Sequence, residues 1–311
     1  MLTHILATCL SLVAFLSGLR LMRSGFERMA EGRLARVIRV AASTPTRGIL
    51  TGAVSTALLQ SSGAVTAITV GLVAAGSLDF ASGLGLVLGA NVGTTITPQL
   101  LHLNLWGIVL PALALGLALS LSPRRAHRPL GEGLVGFASL FIALQALSAA
   151  LRPVAAAPFF HRALATAGQH ALLAALAGAA LSALVQSSTA TTLIAMALAS
   201  QHSIPLEGAV AIALGANVGT CLTSVIAAIG TPRPAQRIAL AHVLLNAVGV
   251  AVCLPLLHPF TSAIALASAT PGQAVANANT AFNALSTLAV WPLTRPFARL
   301  LVWMLPDARA A

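Results

Sequence analysis

The chain has 311 residues, 58% of them hydrophobic and only 7% charged, where ordinary soluble domains carry about a quarter charged residues. So few charges cannot solvate a globular surface, which excludes a soluble domain and points to an all-α polytopic membrane protein. The net charge of +11 is not a nucleic-acid footprint: every basic residue is Arg, and the arginines lie in loops between apolar runs, the pattern that membrane topology produces.

The first apolar run, Leu2–Leu19, has no basic residue before it, whereas Arg20 and Arg23 follow it. That order predicts an uncleaved first span over 2–22 with its N-terminus outside. Residues 23–40 alternate Arg23, Arg28, Arg33, Arg36 and Arg39 with Phe26, Met29, Leu34, Val37 and Ile38, which reads as an amphipathic anchor on the cytoplasmic surface. Further spans are predicted at 80–101, 104–122, 132–151, 205–229, 237–258 and 273–292.

Two apolar segments do not fit a full span. Residues 48–76 are interrupted by Gln60-Ser61-Ser62-Gly63, and residues 171–199 by Gln186-Ser187-Ser188-Thr189. Each arm of about 12–14 residues is too short to cross a bilayer. Both segments are therefore expected to be re-entrant helical hairpins with polar tips near the midplane, where irregular backbone survives only beside a cavity. With this topology one side carries Arg20, Arg23, Arg28, Arg33, Arg36, Arg39, Arg47, Arg124, Arg125, Arg128, Arg233, Arg237, Arg295, Arg299 and Arg309; the other carries only Arg152 and Arg162. The first side is cytoplasmic on this count, so the C-terminus is expected inside and the N-terminus in the periplasm.

The two interrupted segments match at a constant offset of 126. Gln60-Ser61-Ser62 recurs at 186–188, Gly89-Ala90-Asn91-Val92-Gly93-Thr94 recurs at 215–220, Gly52 maps to Gly178, and Thr66 maps to Thr192. Rare Gln and Asn kept at one offset in an Ala/Leu-rich chain indicate duplication. Each copy holds an odd number of crossings, so the second is expected upside down. The predicted fold is one transmembrane domain over 1–311, with inverted repeats at about 1–125 and 126–258 and an extra C-terminal span at about 273–292. Such repeats with broken helices characterise secondary transporters, with the binding site where the repeats meet.

The polar tips carry the chemistry. Ser61, Ser62, Ser187, Ser188 and Thr189 supply hydroxyls, Gln60 and Gln186 supply amides, and a half-helix beginning at each tip presents free N–H groups and a partial positive charge. Two such tips would cradle a tetrahedral oxyanion. The Gly-Ala-Asn-Val-Gly-Thr segments are expected to interrupt their spans, leaving carbonyls and the oxygens of Asn91, Thr94, Asn217 and Thr220 for a small hard cation. Close helix packing is the other use of such glycines, as interhelical hydrogen bonding is of Ser, of Thr and of the His242/Asn246 pair. The six acidic residues, Glu27, Glu31, Asp79, Glu132, Glu207 and Asp307, all fall in loops or at span ends. A proton relay is thus thinly supported, and sodium is the expected coupling ion. The cysteines Cys9, Cys221 and Cys253 have no metal or disulfide spacing, and no acid/base pair points to an enzyme.

With these motifs, together with Leu16-Ser17-Gly18-Leu19-Arg20-Leu21-Met22, Ala241-His242-Val243-Leu244-Leu245-Asn246 and Ala278-Asn279-Thr280-Ala281-Phe282-Asn283, the chain resembles the sodium/phosphate cotransporter family. The resemblance implies phosphate held between Ser61, Ser62, Ser187, Ser188 and Thr189 beside Gly63. It implies sodium near Gln60, Gln186, Thr192 and Asn246, and by the repeat near Thr66. Gly63 departs from the family's third Ser, Asn279 stands where His is common, and the span 104–122 lacks an acidic residue found in electrogenic animal members. The phosphate-regulator-like domain of many bacterial members is not expected, since the chain ends soon after Trp303. The function expected is sodium-coupled phosphate transport across a bacterial inner membrane, with no cofactor beyond Na+ as coupling ion. The alternatives are a carrier of another oxyanion or small carboxylate, and a passive anion channel. Phosphate, sodium and lipid are the expected partners, a homodimer is the assembly considered, and nucleic acid is not expected.

Overall fold

The structure, a computed structural model, describes residues 2–30, 33–101, 105–155 and 170–307. Glu31, Arg162 and Arg309, which entered the topology reading, lie outside them. Among the described residues all regular structure is helical. The α-helices are α1 (Leu2–Ala30), α2 (Leu34–Ala41), α3 (Pro45–Leu59), α4 (Ser62–Ala74), α5 (Phe80–Gly93), α6 (Ile96–Leu100), α7 (Trp106–Ser120) and α8 (Arg128–Ala155). They continue with α9 (Ala171–Val185), α10 (Ser188–Ser200), α11 (Leu206–Gly219), α12 (Cys221–Ala228), α13 (Arg233–Cys253), α14 (Leu257–Leu266), α15 (Pro271–Val290) and α16 (Thr294–Met304).

Among the described residues five segments are long and apolar enough to cross a membrane: Thr3–Ala30, Phe80–Leu100, Arg125–Leu151, Leu206–Ala228 and Arg233–Leu266. Large apolar side chains such as Leu10, Leu58, Leu184 and Trp303 lie on the outer surface, an arrangement unfavourable in water and natural against lipid tails. Two of the seven expected spans differ. The described part of 104–122 is a helix of 15 residues. The stretch 273–292 is helical as α15 and 20 residues long, but Gln273, Asn277, Asn279, Thr280, Asn283 and Thr287 make it too polar to rank with the five, and Asn279, Asn283 and Thr287 are buried in the protein. The single amphipathic helix expected over 23–40 is also corrected. α1 runs unbroken through Arg23 to Ala30, because Leu19 and Met22 continue a buried face, and α2 is a separate short helix with Ile38 buried.

The helices around the two Gln-Ser-Ser motifs follow the offset of 126 element by element. α3 and α9 are both 15 residues, α4 and α10 both 13, α5 and α11 both 14. Their packing follows it too. A Cβ on Gly52, Gly89 or Gly93 would strike the carbonyl oxygen of Leu86, Ile49 or Ala53, and a Cβ on Gly178, Gly215 or Gly219 would strike that of Ile212, Ala175 or Ala179. Each struck residue is shifted by the same 126. These glycines are therefore packing residues: they let α3 lie backbone-to-backbone on α5, and α9 on α11, the close approach that drives helix association where lipid removes the hydrophobic force.

Two apolar clusters complete the interior. One joins Val65, Val70 and Val73 of α4 to Leu84, Leu86 and Leu88 of α5 and Ile238 of α13. The other joins Leu193 and Met196 of α10 to Leu214 of α11, Val275 and Phe282 of α15, and Phe15, Leu19 and Met22 of α1. The segment after α16 is tied back to the start of α13. Buried Arg237 donates from Nε to Leu305 O at 2.8 Å and from Nη2 to Asp307 Oδ1 at 2.7 Å. Asp307→Ala leaves that guanidinium with a single acceptor. It should lower thermal stability by about 1–2 kcal/mol, read as a fall in melting temperature of the detergent-purified protein.

Candidate functional site

Both hairpin tips are built by the same local sequence. α3 ends on Gln60, which takes a left-handed backbone (φ 58°, ψ 26°), and α9 ends on Gln186 in the same state (φ 54°, ψ 39°). The next residue is extended and caps a new helix: Ser61 Oγ accepts from Ala64 N at 3.2 Å, and Ser187 Oγ from Ala190 N at 3.0 Å. Ser caps of this kind satisfy an orphan N–H and start α4 and α10 cleanly. A left-handed non-glycine residue costs about 1–3 kcal/mol and persists where the surroundings or the function demand it. Among the described residues only Gln60, Gln186 and His202 adopt positive φ without being glycine.

The two tips meet. Ser61, Ser62 and Gly63 of the first and Gln186, Ser187, Ser188 and Thr189 of the second line one small polar cavity together with Arg23, Thr94 and Thr220. Ser62, Ser187, Ser188 and Thr189 are buried. The six residues assigned to an oxyanion from sequence are thus side by side, beneath the positive ends of α4 and α10. Gly63 is not an open gap. A Cβ there would sit 3.1 Å from Thr223 Cγ2 and 3.4 Å from Thr223 Oγ1, so Thr223 of α12 packs against the position where the other tip carries Thr189.

The residues assigned to a cation are more dispersed. Thr94 and Thr220 reach the cavity. Gln60 lies on its far side, donating from Nε2 to Ala57 O and facing an apolar groove that includes Met22, Phe26 and Phe141. The helix stays regular through Gly89–Gly93 and breaks only after it, and the Asn91 carbonyl is already taken by Thr94 Oγ1 at 2.6 Å. The expected interruption at the glycines is thus displaced to Thr94-Thr95, because the glycines serve packing. The Asn side chains are engaged as well. His242 bridges Asn91 Oδ1 (3.1 Å) and Ser224 Oγ (2.9 Å) through its two ring nitrogens, and Asn246 Nδ2 donates to His242 O at 2.9 Å. Asn217 Nδ2 donates to Asn279 Oδ1 at 3.0 Å and to Ala213 O at 3.0 Å, while Asn283 Nδ2 donates to Asn217 Oδ1 at 3.3 Å. Among the described residues, the buried oxygens without a partner include those of Thr66 and Thr192, along with Thr56 and Ser182. Thr56 and Ser182 are again separated by 126, so each hairpin carries two orphan hydroxyls, one per arm. These four oxygens suit a small hard cation better than the Asn amides, whose groups are spent on each other.

Sequence reasoning missed Thr56, Ser182 and above all Arg23, which it placed on a surface anchor. Arg23 Nη2 donates to Ser187 Oγ at 2.8 Å. The signal was present: Leu19, Met22 and Arg23 fall at i, i+3 and i+4, one face of a helix, so the guanidinium shares the face of two core residues.

The chain was compared with known proteins. The family described as Na+/Pi-cotransporter matches residues 14–149 and again 147–288. An uncharacterized protein of Bacillus subtilis, YqeW, is 32% identical over 250 residues, covering 80% of this chain and 81% of YqeW. The Escherichia coli K12 protein named "Putative inorganic phosphate export protein YjbB" is 29% identical over 251 residues, 80% of this chain but 46% of its own length, so the chain spans about half of that relative. The sheep sodium-dependent phosphate transport protein 2A is 33% identical over 95 residues, 30% of this chain and 15% of its own. No solved structure matches. A family match that runs twice along nearly the whole chain, over helices suited to a membrane, leads to one conclusion: the chain belongs to the Na+/Pi-cotransporter family, a family of transporters and not of enzymes.

Proposed function

We propose that this chain is a sodium-coupled carrier of inorganic phosphate in a bacterial inner membrane, with phosphate bound between the two Gln-Ser-Ser tips. The observation that carries this reading is the convergence of both tips and Arg23 on one polar cavity. Serine hydroxyls, two helix N-termini and a guanidinium are all hydrogen-bond donors suited to an oxyanion. Sodium is the coupling ion in this reading, drawn by the orphan hydroxyls of Thr66 and Thr192 and of Thr56 and Ser182. Cation charge offsets the cost of carrying an anion through a medium of low dielectric.

The topology proposed is two inverted repeats, each with a re-entrant hairpin. Hairpin arms of 13 and 15 residues are about 20 Å long, short of the roughly 30 Å hydrocarbon core. Tips that meet from opposite faces fit that length. The Arg distribution supports a periplasmic N-terminus and a cytoplasmic C-terminus, and the tie of Leu305 and Asp307 to Arg237 supports putting the C-terminal segment on the side where α13 begins.

Radiolabelled phosphate uptake into proteoliposomes, under an inward sodium gradient and then an equal potassium gradient, tests the reading. Saturable uptake that requires sodium is the expected result; equal flux under both gradients would remove sodium coupling, and no flux for phosphate would remove the substrate. Export is a second reading, favoured by the role named for YjbB. Preloaded vesicles assayed for phosphate release against the same gradients separate the two directions.

A further inference from the structure

One charged group that neither hairpin accounts for is the Arg23 guanidinium. It belongs to neither hairpin, yet α1 delivers it to the point where both tips meet. Its Nη2 donates to Ser187 Oγ at 2.8 Å, while its Nε is buried and has no acceptor among the described residues. The ion pairs among the described residues are Arg28 with Glu132, Arg237 with Asp307, and His258 with Glu207; none involves Arg23. Glu27, one turn on in α1, is solvent-exposed and attracts Arg23 only at a distance, without forming an ion pair with it.

Resting on the carrier reading above, we propose that Arg23 is a direct ligand of the transported oxyanion and supplies the full positive charge of its site. The charge arrangement requires a partner. A partly buried guanidinium lies beside the N-termini of α4 and α10, each carrying roughly half a positive charge. Three positive ends on one small cavity repel one another, and leaving a buried charge uncompensated is strongly unfavourable. An oxyanion relieves all three at once. The guanidinium fork also matches the geometry of a tetrahedral oxyanion, which a single ammonium does not. The position 126 residues on from Arg23 is Ala149. The hydroxyl and N–H donors therefore come in two copies, one per tip, while the guanidinium is single. A residue needed only to hold the duplicated scaffold would be expected in both copies; a single charge shared between two tips is what one bound anion uses.

The test uses the full chain reconstituted in proteoliposomes at a fixed sodium gradient, with half-saturating phosphate as the readout and phosphate-dependent thermal stabilisation as a second one. Arg23→Ala should raise half-saturating phosphate by about tenfold to a hundredfold, the loss of one or two charge-assisted hydrogen bonds, and should abolish the thermal shift with phosphate. Arg23→Lys, which keeps the charge and loses the fork, should fall between the two. Arg28→Gln, on the same helix and paired elsewhere, should match the wild type. A folded Arg23→Ala protein whose half-saturating phosphate stays within about twofold of wild type, or whose loss is confined to maximal rate, overturns the proposal in favour of a structural latch on Ser187. Should Arg23→Ala not fold, Arg23→Lys is judged by the same criterion. A wild-type protein that neither transports nor is stabilised by phosphate overturns the carrier reading itself, whereas a responsive wild type with an indifferent Arg23 variant overturns only this inference.

Discussion

Replacing Gln60 and Gln186 together by glycine should cut phosphate uptake at low phosphate by about tenfold while leaving thermal stability within about 1 kcal/mol of the parent. The two effects separate because the two roles of these residues separate. Both backbones are left-handed, a conformation that glycine adopts without the steric cost that a Cβ imposes. The turn is therefore kept or relaxed, against a modest loss to the more flexible unfolded chain. What disappears from the cavity is one amide, that of Gln186, since the Gln60 amide is spent on Ala57 O. Losing one hydrogen-bonding group worth about 1.5 kcal/mol amounts to roughly one power of ten in binding. Uptake at low phosphate and a melting curve on the same preparation would check this. A double variant that melts like the parent and transports like it would show that the left-handed glutamines serve the turn alone.

The second large effect concerns folding. Gly89→Val or Gly215→Val should destabilise the protein by at least about 3 kcal/mol. At both positions a Cβ would fall on a neighbouring backbone carbonyl, Ile49 O or Ala175 O. Backbone cannot swing aside as a side-chain tip can, so the whole of α3 or α9 must be pushed off its partner. Gly71 provides the opposite case on α4. Nothing lies within 4 Å of its Cβ position, and Gly71→Ala should instead stabilise by about 0.5–1 kcal/mol through helix propensity. Thermal unfolding of the three variants in one detergent checks both signs together. Equal losses at Gly71 and Gly89 would mean that flexibility, and not close packing, is what the glycines contribute.

Gly89 and Gly215 also show what local sequence leaves open. A glycine in an apolar helix has two uses, breaking it or letting another helix approach. Local sequence does not choose between them, because the choice depends on where α3 and α9 lie. The structure resolves it: the helices stay regular through the glycines, and the break comes one residue later, at Thr94-Thr95 and at Thr220. The same holds for Asn91 and Asn217. An amide inside a membrane helix has to find a partner, but only the packing of α13 and α15 shows that His242, Asn279 and Asn283 are those partners.

What the sequence determined by itself was whatever rests on local or compositional physics. Too few charges to face water made this a membrane protein. A Gln-Ser-Ser interruption broke each apolar segment into two helices, because a Ser cap and a left-handed residue act within a few residues of chain. Rare polar residues at a constant offset exposed the duplicated pattern. Only the tertiary structure decided which polar groups meet. Arg23 is separated from Ser187 by 164 positions, and the two Gln-Ser-Ser tips that share one cavity lie 126 positions apart. These encounters depend on the angle and depth at which whole helices pack. That geometry is set by glycine faces and buried side chains acting together, and no short stretch of sequence contains it.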